Sequence, residues 1–111
     1  MKDELLPLRH ILDAINRVAQ YTNDKTHDDF INDNKLYDAV LMQLIVIGEQ
    51  ASRISDDFKD AHYDIPWHKV IGMRNLISHN YASIKSKIAW DTAIEDLPKL
   101  KLQIEQLLGE K

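Results

Sequence analysis

Apolar side chains along this chain recur three and four positions apart rather than at alternate positions, the period of helices that bury one side. Leu5, Leu8, Ile11, Leu12, Ile15, Val18 and Ala19 form one stripe, so a first helix is predicted to start after Asp3, to tolerate Pro7 in its first turn and to end near Tyr21 and Thr22. The Asn- and Asp-rich stretch from Asn23 to Asn34 reads as a connection, in which Thr26, Asp29 and Phe30 can start one short helical turn. Asn34 is then expected to cap a second long helix carrying Leu36, Val40, Leu41, Leu44, Ile45, Ile47, Ala51 and Ile54. That apolar arc is wider than one stripe, which makes this the central helix, packed against more than one neighbour. Gly48 inside it costs about 1 kcal/mol of helix propensity relative to Ala, a cost accounted for where another backbone approaches closely.

The polar, mostly acidic segment from Asp56 to Asp64 separates this helix from a third, for which Pro66 suits the first position and which should run from about Trp67 to Ser78. Asn80 and Ser83 mark its break. The last segment holds Ile84, Ile88, Trp90, Ile94, Leu97, Leu100, Ile104, Leu107 and Leu108 at helical spacing with Pro98 inside the pattern, so either a kink at Pro98 or two helices joined near Asp96 is expected. No strand is predicted. The fold expected is therefore all-α, an antiparallel up-and-down bundle of four to five helices joined by short loops, forming a single domain over residues 1–111.

Composition narrows the function. A chain of 111 residues buries only about two thirds of its unfolded surface, so self-association would add useful apolar burial. The absence of cysteine excludes a disulfide framework, a thiolate nucleophile and Cys-ligated zinc. No apolar run reaches the roughly 18 to 20 residues of a membrane span, and Met1, Lys2, Asp3 and Glu4 lead into an amphipathic stretch unlike a signal peptide, so a cytoplasmic protein with no membrane association is expected. The net charge of −4 argues against non-specific nucleic-acid binding by the whole surface. Yet the window from Ile65 to Trp90 contains Lys69, Arg74, Lys85 and Lys87 and no acid, while the remainder carries 10 basic against 18 acidic residues.

Arg74 is the most informative residue in that window. On a wheel at roughly 100° per residue with Trp67 at zero, Val70 falls near 300°, Ile71 near 40°, Met73 near 240° and Ile77 near 280°, with Arg74 near 340° inside the apolar arc. A guanidinium cannot shed its charge, so in that position it needs a carboxylate, a set of carbonyls, a route to solvent or an incoming anion such as phosphate. An ion pair with Asp38 or Glu49 of the central helix is the structural reading; an anion site at a cleft or interface is the functional one. Tyr81 would lie beside Arg74 if the helix continued, whereas His79 would point away, so a break near Ser78 is what would let Arg74, His79 and Tyr81 converge. Imidazole moves protons near neutral pH, guanidinium holds phosphate through parallel hydrogen bonds, and a phenol positions or donates to a phosphate oxygen. This set suits metal-independent RNA cleavage by 2′-hydroxyl attack, and a two-fold dimer would supply a second His79 so that acid and base are both present.

The run Arg74-Asn75-Leu76-Ile77-Ser78-His79-Asn80-Tyr81 has the form Arg, four residues, His, one residue, Tyr, and it resembles the motif of HEPN-domain proteins, specifically the HepT-type toxins. The resemblance extends through Ile47-Gly48-Glu49, Ile65-Pro66-Trp67, Ile71-Gly72-Met73 and Glu95-Asp96-Leu97-Pro98, and so over essentially the whole chain. It implies a HEPN-like all-helical, dimer-forming ribonuclease in which Arg74, His79 and Tyr81 are catalytic and Asn75 is the polar position after the arginine. It also implies an MntA-like minimal nucleotidyltransferase antitoxin as partner, which neutralises the toxin by transferring AMP onto Tyr81 to give O-AMP-tyrosine. Higher assemblies occur in that family.

Other residues carry weaker signals. Glu49 and Asn80 are supporting candidates, Glu49 because it could orient Arg74 or His79 across a groove. His10, His27, His62 and His68 put no two ligands on one helical face, so no structural metal is expected, and no cofactor is called for. Trp67 and Trp90 could stack on bases, although aromatic residues at helical spacing usually serve core or interface. Lys85 and Lys87 could track an RNA backbone. Two rival functions stand beside the nuclease: a non-catalytic helical interaction module, and a nucleotide-binding accessory subunit of a nucleotidyltransferase.

Overall fold

A computed structural model of the chain describes residues 4–109, so the reading of the extreme amino terminus at Met1, Lys2 and Asp3 lies outside the described residues. Every regular element among the described residues is helical: α1 (Leu5–Thr22), α2 (His27–Asn32), α3 (Asn34–Ser52), α4 (Asp56–Ala61), α5 (Trp67–Asn80), α6 (Ser86–Asp91), a π turn (Thr92–Asp96) and α7 (Leu97–Leu107). Four rods run up and down: α1, α3, α5, and the continuous α6–π–α7 segment. Leu8, Ile11, Leu12, Ile15 and Val18 of α1 bury against Val40, Leu41, Leu44, Ile47 and Ala51 of α3, and Leu97, Leu100 and Ile104 of α7 close the core. The Glu4 carboxylate accepts hydrogen bonds from the Ser55 amide at 3.2 and 3.3 Å, tying the start of α1 to the start of α4.

Local chemistry explains the boundaries. Thr26 and Asp29 form a capping box, each side chain accepting from the other's amide, and this makes α2 a full short helix within the connection. α3 is capped by Asp33 rather than Asn34: Asp33 is extended, and its carboxylate accepts from the amides of Lys35 at 3.0 Å and Leu36 at 3.2 Å, so Asn34 is already inside the helix. The acidic segment after α3 is not all loop, because Ser55 caps α4 by accepting from the Phe58 amide. At the proline, the junction falls at Asp96–Leu97 through the π turn. The Leu97 amide bonds back five residues to the Thr92 carbonyl, and Pro98 occupies the first turn of α7, where its missing N–H costs little.

α5 is placed differently from the other rods. It packs chiefly on α3, and only Trp67 and Ile77 along it are buried, leaving Val70, Ile71, Met73 and Leu76 half-covered. The motif helix is therefore the outermost rod, with one flank against α3 and the rest facing outward.

Candidate functional site

The contact between α3 and α5 is set by Gly48. A Cβ built there would lie 2.2 Å from Cβ of Arg74 and 3.1 Å from the carbonyl oxygen of Val70, so only glycine lets the two backbones approach this closely. Arg74 thus lies across the glycine, and its guanidinium reaches past it to Glu49, Nη2 to Oε1 at 2.5 Å. Nη1 donates to Oδ1 of Asn75 at 3.0 Å. Nε is buried with no partner, so an incoming anion can meet the guanidinium only along its Nη edge.

Of the two acids named as partners for Arg74, Glu49 takes it and Asp38 does not. Both members of the Arg74–Glu49 pair are about a third exposed, 35% and 39%, and such a pair is worth about 0–1 kcal/mol. Arg74 is therefore tethered rather than locked, and a phosphate can compete for it. Two of its five N–H donors are used.

Asp38 instead accepts a hydrogen bond from the Tyr81 hydroxyl. Tyr81 follows the last residue of α5 with helical dihedrals, φ −49° and ψ −46°, so it continues the helical course and lies on the same side of α5 as Arg74. Its ring meets Tyr37 of α3 edge-on, centroids 6.4 Å apart; Tyr37 stacks at a tilt on buried Phe30 at 4.8 Å, and Phe30 in turn on Trp90 at 5.3 Å. This chain of rings anchors the end of α5 to α2, α3 and α6. The hydrogen bond to Asp38 raises the Tyr81 phenol above its ordinary range, with burial and the Asp38 charge acting in the same direction. Burial, then the Asp38 charge, raises Tyr37 likewise.

His79 does not join them within one chain. The helix runs on through His79 to Asn80, so the expected break near Ser78 is absent, and the intrahelical geometry that points His79 away from Arg74 holds. His79 is exposed, and among the described residues its ring has no hydrogen-bond partner. The turn comes only after Asn80, whose carbonyl accepts from the amides of Ser83 at 2.9 Å and Ile84 at 2.8 Å. The protomer thus brings together Arg74, Asn75 and Glu49 at one point and Tyr81 with Asp38 at another along the same α3–α5 seam, with Met42 and Ile45 between the two acids on α3. The part played by Asp38 towards Tyr81 went unread in the sequence. Spacing did not signal it, because antiparallel packing that sets residue 49 beside 74 brings 42 beside 81, and only the reach of the Tyr81 ring along the seam brings its hydroxyl to Asp38.

The basic window is largely neutralised in the fold. Lys69 pairs with Asp96 at 3.0 Å, Arg74 with Glu49, and Lys87 with Asp91 at 3.0 Å, so acids from outside the window answer three of its four cations. Trp67 is buried and donates from its indole to the His62 carbonyl at 3.0 Å, and Trp90 packs on Phe30, so neither ring is free to stack on a base. His27 bonds Ser86 at 3.1 Å, and among the described residues no three His, Asp or Glu side chains gather as a metal set. A groove of about 540 Å³ lies on the other flank of α5, lined by Leu44, Val70, Met73 and Leu100 among others, and contains none of Arg74, His79 or Tyr81. Among the described residues no helix is long and apolar enough to cross a membrane.

A helical bundle with Arg-x4-His-x-Tyr on its outer rod, the arginine bedded on a glycine of the central helix, places this chain in a defined class. Residues 11–107 match the ribonuclease HepT-like family, and the chain belongs to it. Similar proteins include the probable ribonuclease HepT of Thermococcus cleftensis, 36% identical over 100 residues that span 90% of this chain and 91% of the relative. A protein of Methanocaldococcus jannaschii named provisionally as an RNase is 35% identical over 98 residues, 88% of this chain and 90% of the relative. A second protein of that organism, named as a gamma-glutamylcyclotransferase and, provisionally, RNase, is 34% identical over 98% of this chain; there the chain spans about half, 49%, of the relative's length. No solved structure matches the chain.

Proposed function

We propose that this protein is a metal-independent endoribonuclease of the HepT type, the toxin of a toxin–antitoxin pair, whose site forms where two copies of α5 meet. The observation that carries the reading is Arg74 tethered over Gly48 on the half-covered face of the outermost helix, in a motif that also supplies His79 and Tyr81. The Nη edge of Arg74 exchanges Glu49 for the non-bridging oxygens of the scissile phosphate and stabilises the charge that builds as the 2′-hydroxyl attacks phosphorus. His79 moves the protons. One imidazole cannot serve as base for the 2′-hydroxyl and acid for the leaving 5′-oxygen at once, and within a chain His79 points away from Arg74, so the second copy completes the site. The half-exposed apolar side chains Val70, Ile71, Met73 and Leu76 along α5 supply a reason for that association. Asn75 orients the guanidinium, and Tyr81 holds a phosphate oxygen.

The same reading assigns RNA as substrate and a minimal nucleotidyltransferase as antitoxin, with Tyr81 as the residue that receives AMP. A phosphodiester added at Tyr81, on the seam that carries Arg74, would fill the anion site and repel RNA. The test is to incubate the purified chain, free of partner, with RNA in the presence of a chelator. Cleavage leaving 2′,3′-cyclic phosphate and 5′-hydroxyl ends is expected, with a loss of about 10²–10⁴-fold on His79→Ala. Intact RNA, or unchanged cleavage by folded His79→Ala protein, overturns the mechanism. The Arg74–Glu49 pair favours a second reading, in which Arg74 only knits the bundle or an assembly. Under it, Arg74→Ala disrupts association and no nuclease activity exists to be lost.

A further inference from the structure

The Tyr81 hydroxyl is paired with a carboxylate and still open to solvent. It donates to Asp38, its ring is held edge-on by Tyr37, and the residue is 51% exposed. Tyr63 makes the contrast: it is 85% exposed and has no hydrogen-bond partner among the described residues. The groups of α3 that bear on the Tyr81 phenol are Asp38 and Tyr37. A neighbouring carboxylate disfavours phenolate, so if Tyr81 reacted only after ionising into bulk water, Asp38 would slow it. Asp38 helps only by accepting the proton while the oxygen forms its new bond, an effect worth about 10²–10⁴-fold where a base is so placed.

We propose that Asp38 and Tyr81 form a base–nucleophile pair, in which the Tyr81 hydroxyl oxygen attacks the α-phosphorus of a nucleoside triphosphate as Asp38 accepts the phenolic proton. The Tyr81 O–P bond forms, the bond from that phosphorus to the bridging oxygen breaks, and its electron pair leaves on pyrophosphate. The products are the tyrosyl AMP ester, pyrophosphate and a protonated Asp38 that returns its proton to water. This step rests on the reading of Tyr81 as the modified residue and adds the group that positions and activates it. Tyr37, by fixing the ring, keeps the oxygen within reach of Asp38 and its outward lone pair clear.

Two measurements test the pair. In the first, phenylmethanesulfonyl fluoride is offered to the full chain and labelling at Tyr81 and Tyr63 is followed by peptide mass spectrometry, with Tyr81→Phe confirming the peptide. Tyr81 should label about 10²-fold faster than Tyr63, at a rate flat across neutral pH. In Asp38→Asn, which keeps an acceptor but cannot take the proton, the Tyr81 rate should fall to that of Tyr63 or below and climb steadily with pH. In the second, ATP labelled in its α-phosphate is supplied with a minimal nucleotidyltransferase, and AMP transfer to Asp38→Asn should drop by a similar factor. Equal labelling of Tyr81 and Tyr63 in the wild type, or rates unchanged by Asp38→Asn in either measurement, overturns the role of Asp38 while leaving Tyr81 as the modified residue. Absence of AMP on wild-type Tyr81 overturns the modification reading and removes the phosphorus step with it.

Discussion

Replacing Gly48 with Ala tests the seam on which the candidate site is built. The new Cβ would fall 2.2 Å from Cβ of Arg74 where ordinary contact begins at 3.4 Å, a shortfall of 1.2 Å, and it would also press on the Val70 carbonyl at 3.1 Å. Neither obstacle is the end of a flexible side chain, so α5 must move off α3 by about 1 Å, an overpacking cost of about 3 kcal/mol at this severity. Helix propensity returns about 1 kcal/mol, leaving a net loss of about 2 kcal/mol. For a chain of this size that lowers the thermal midpoint by about 8 °C. Gly72, in α5 with nothing within 4 Å of its added Cβ, is the control: Gly72→Ala gains the propensity term alone, about 1 kcal/mol. Thermal or urea unfolding of both variants reads the two signs directly. In the nuclease assay Gly48→Ala should lose about 10²-fold, because a shift of about 1 Å in the arginine misplaces the phosphate. A Gly48→Ala protein as stable as the wild type would refute the close-approach argument and, with it, the account of why Arg74 sits where it does.

Two further outcomes bear on the described geometry. Asp33→Ala should cost about 1 kcal/mol in urea unfolding, whereas Asn34→Ala should cost nothing, since Asp33 holds the cap; the reverse order would return the cap to Asn34. Alkaline unfolding should depend on Asp38. The folded-state phenols of Tyr81 and Tyr37 are both raised from the ordinary 10.0, so the folded chain keeps protons that the unfolded chain is losing, and stability is full below that value and falls as pH climbs through the folded one. Asp38→Asn removes the leading cause at Tyr81, so its urea midpoint should fall less between about pH 9 and pH 11 than the wild type's; parallel curves would refute the Asp38–Tyr81 bond.

The period of the apolar residues suffices for the rods, because α1, α3 and α7 each bury a continuous stripe and such stripes survive in sequence as spacing. Boundaries were less legible for identifiable reasons. Asp33 and Asn34 are both good cap residues side by side, and only the backbone dihedrals choose between them. Ser55 caps a helix too short and acidic to show a stripe. At Pro98 the junction near Asp96, one of the two alternatives the pattern offers, is the one formed, and what carries no sequence mark is the π turn from Thr92 to Asp96 that makes it.

At the site, the wheel puts Arg74 on an apolar arc and the cost of Gly48 points to a close approach, but nothing in the sequence joins the two; the fold makes the room at the glycine and the charge on the arc two halves of one contact. What the sequence reading misjudged was the stop. Asn80 and Ser83 do end α5, but only after one more half-turn, because the turn is closed by the Asn80 carbonyl and not by any group at Ser78. Those two extra residues decide the argument about chemistry. With the helix unbroken, Tyr81 stays on the seam with Arg74 and finds Asp38, while His79 is turned outward. A site made inside one protomer would need that helix unwound, at the cost of its last hydrogen bonds and of the Tyr81–Asp38 clasp. A site made between two outermost rods needs neither, and it uses the α5 surface that the bundle leaves half-covered.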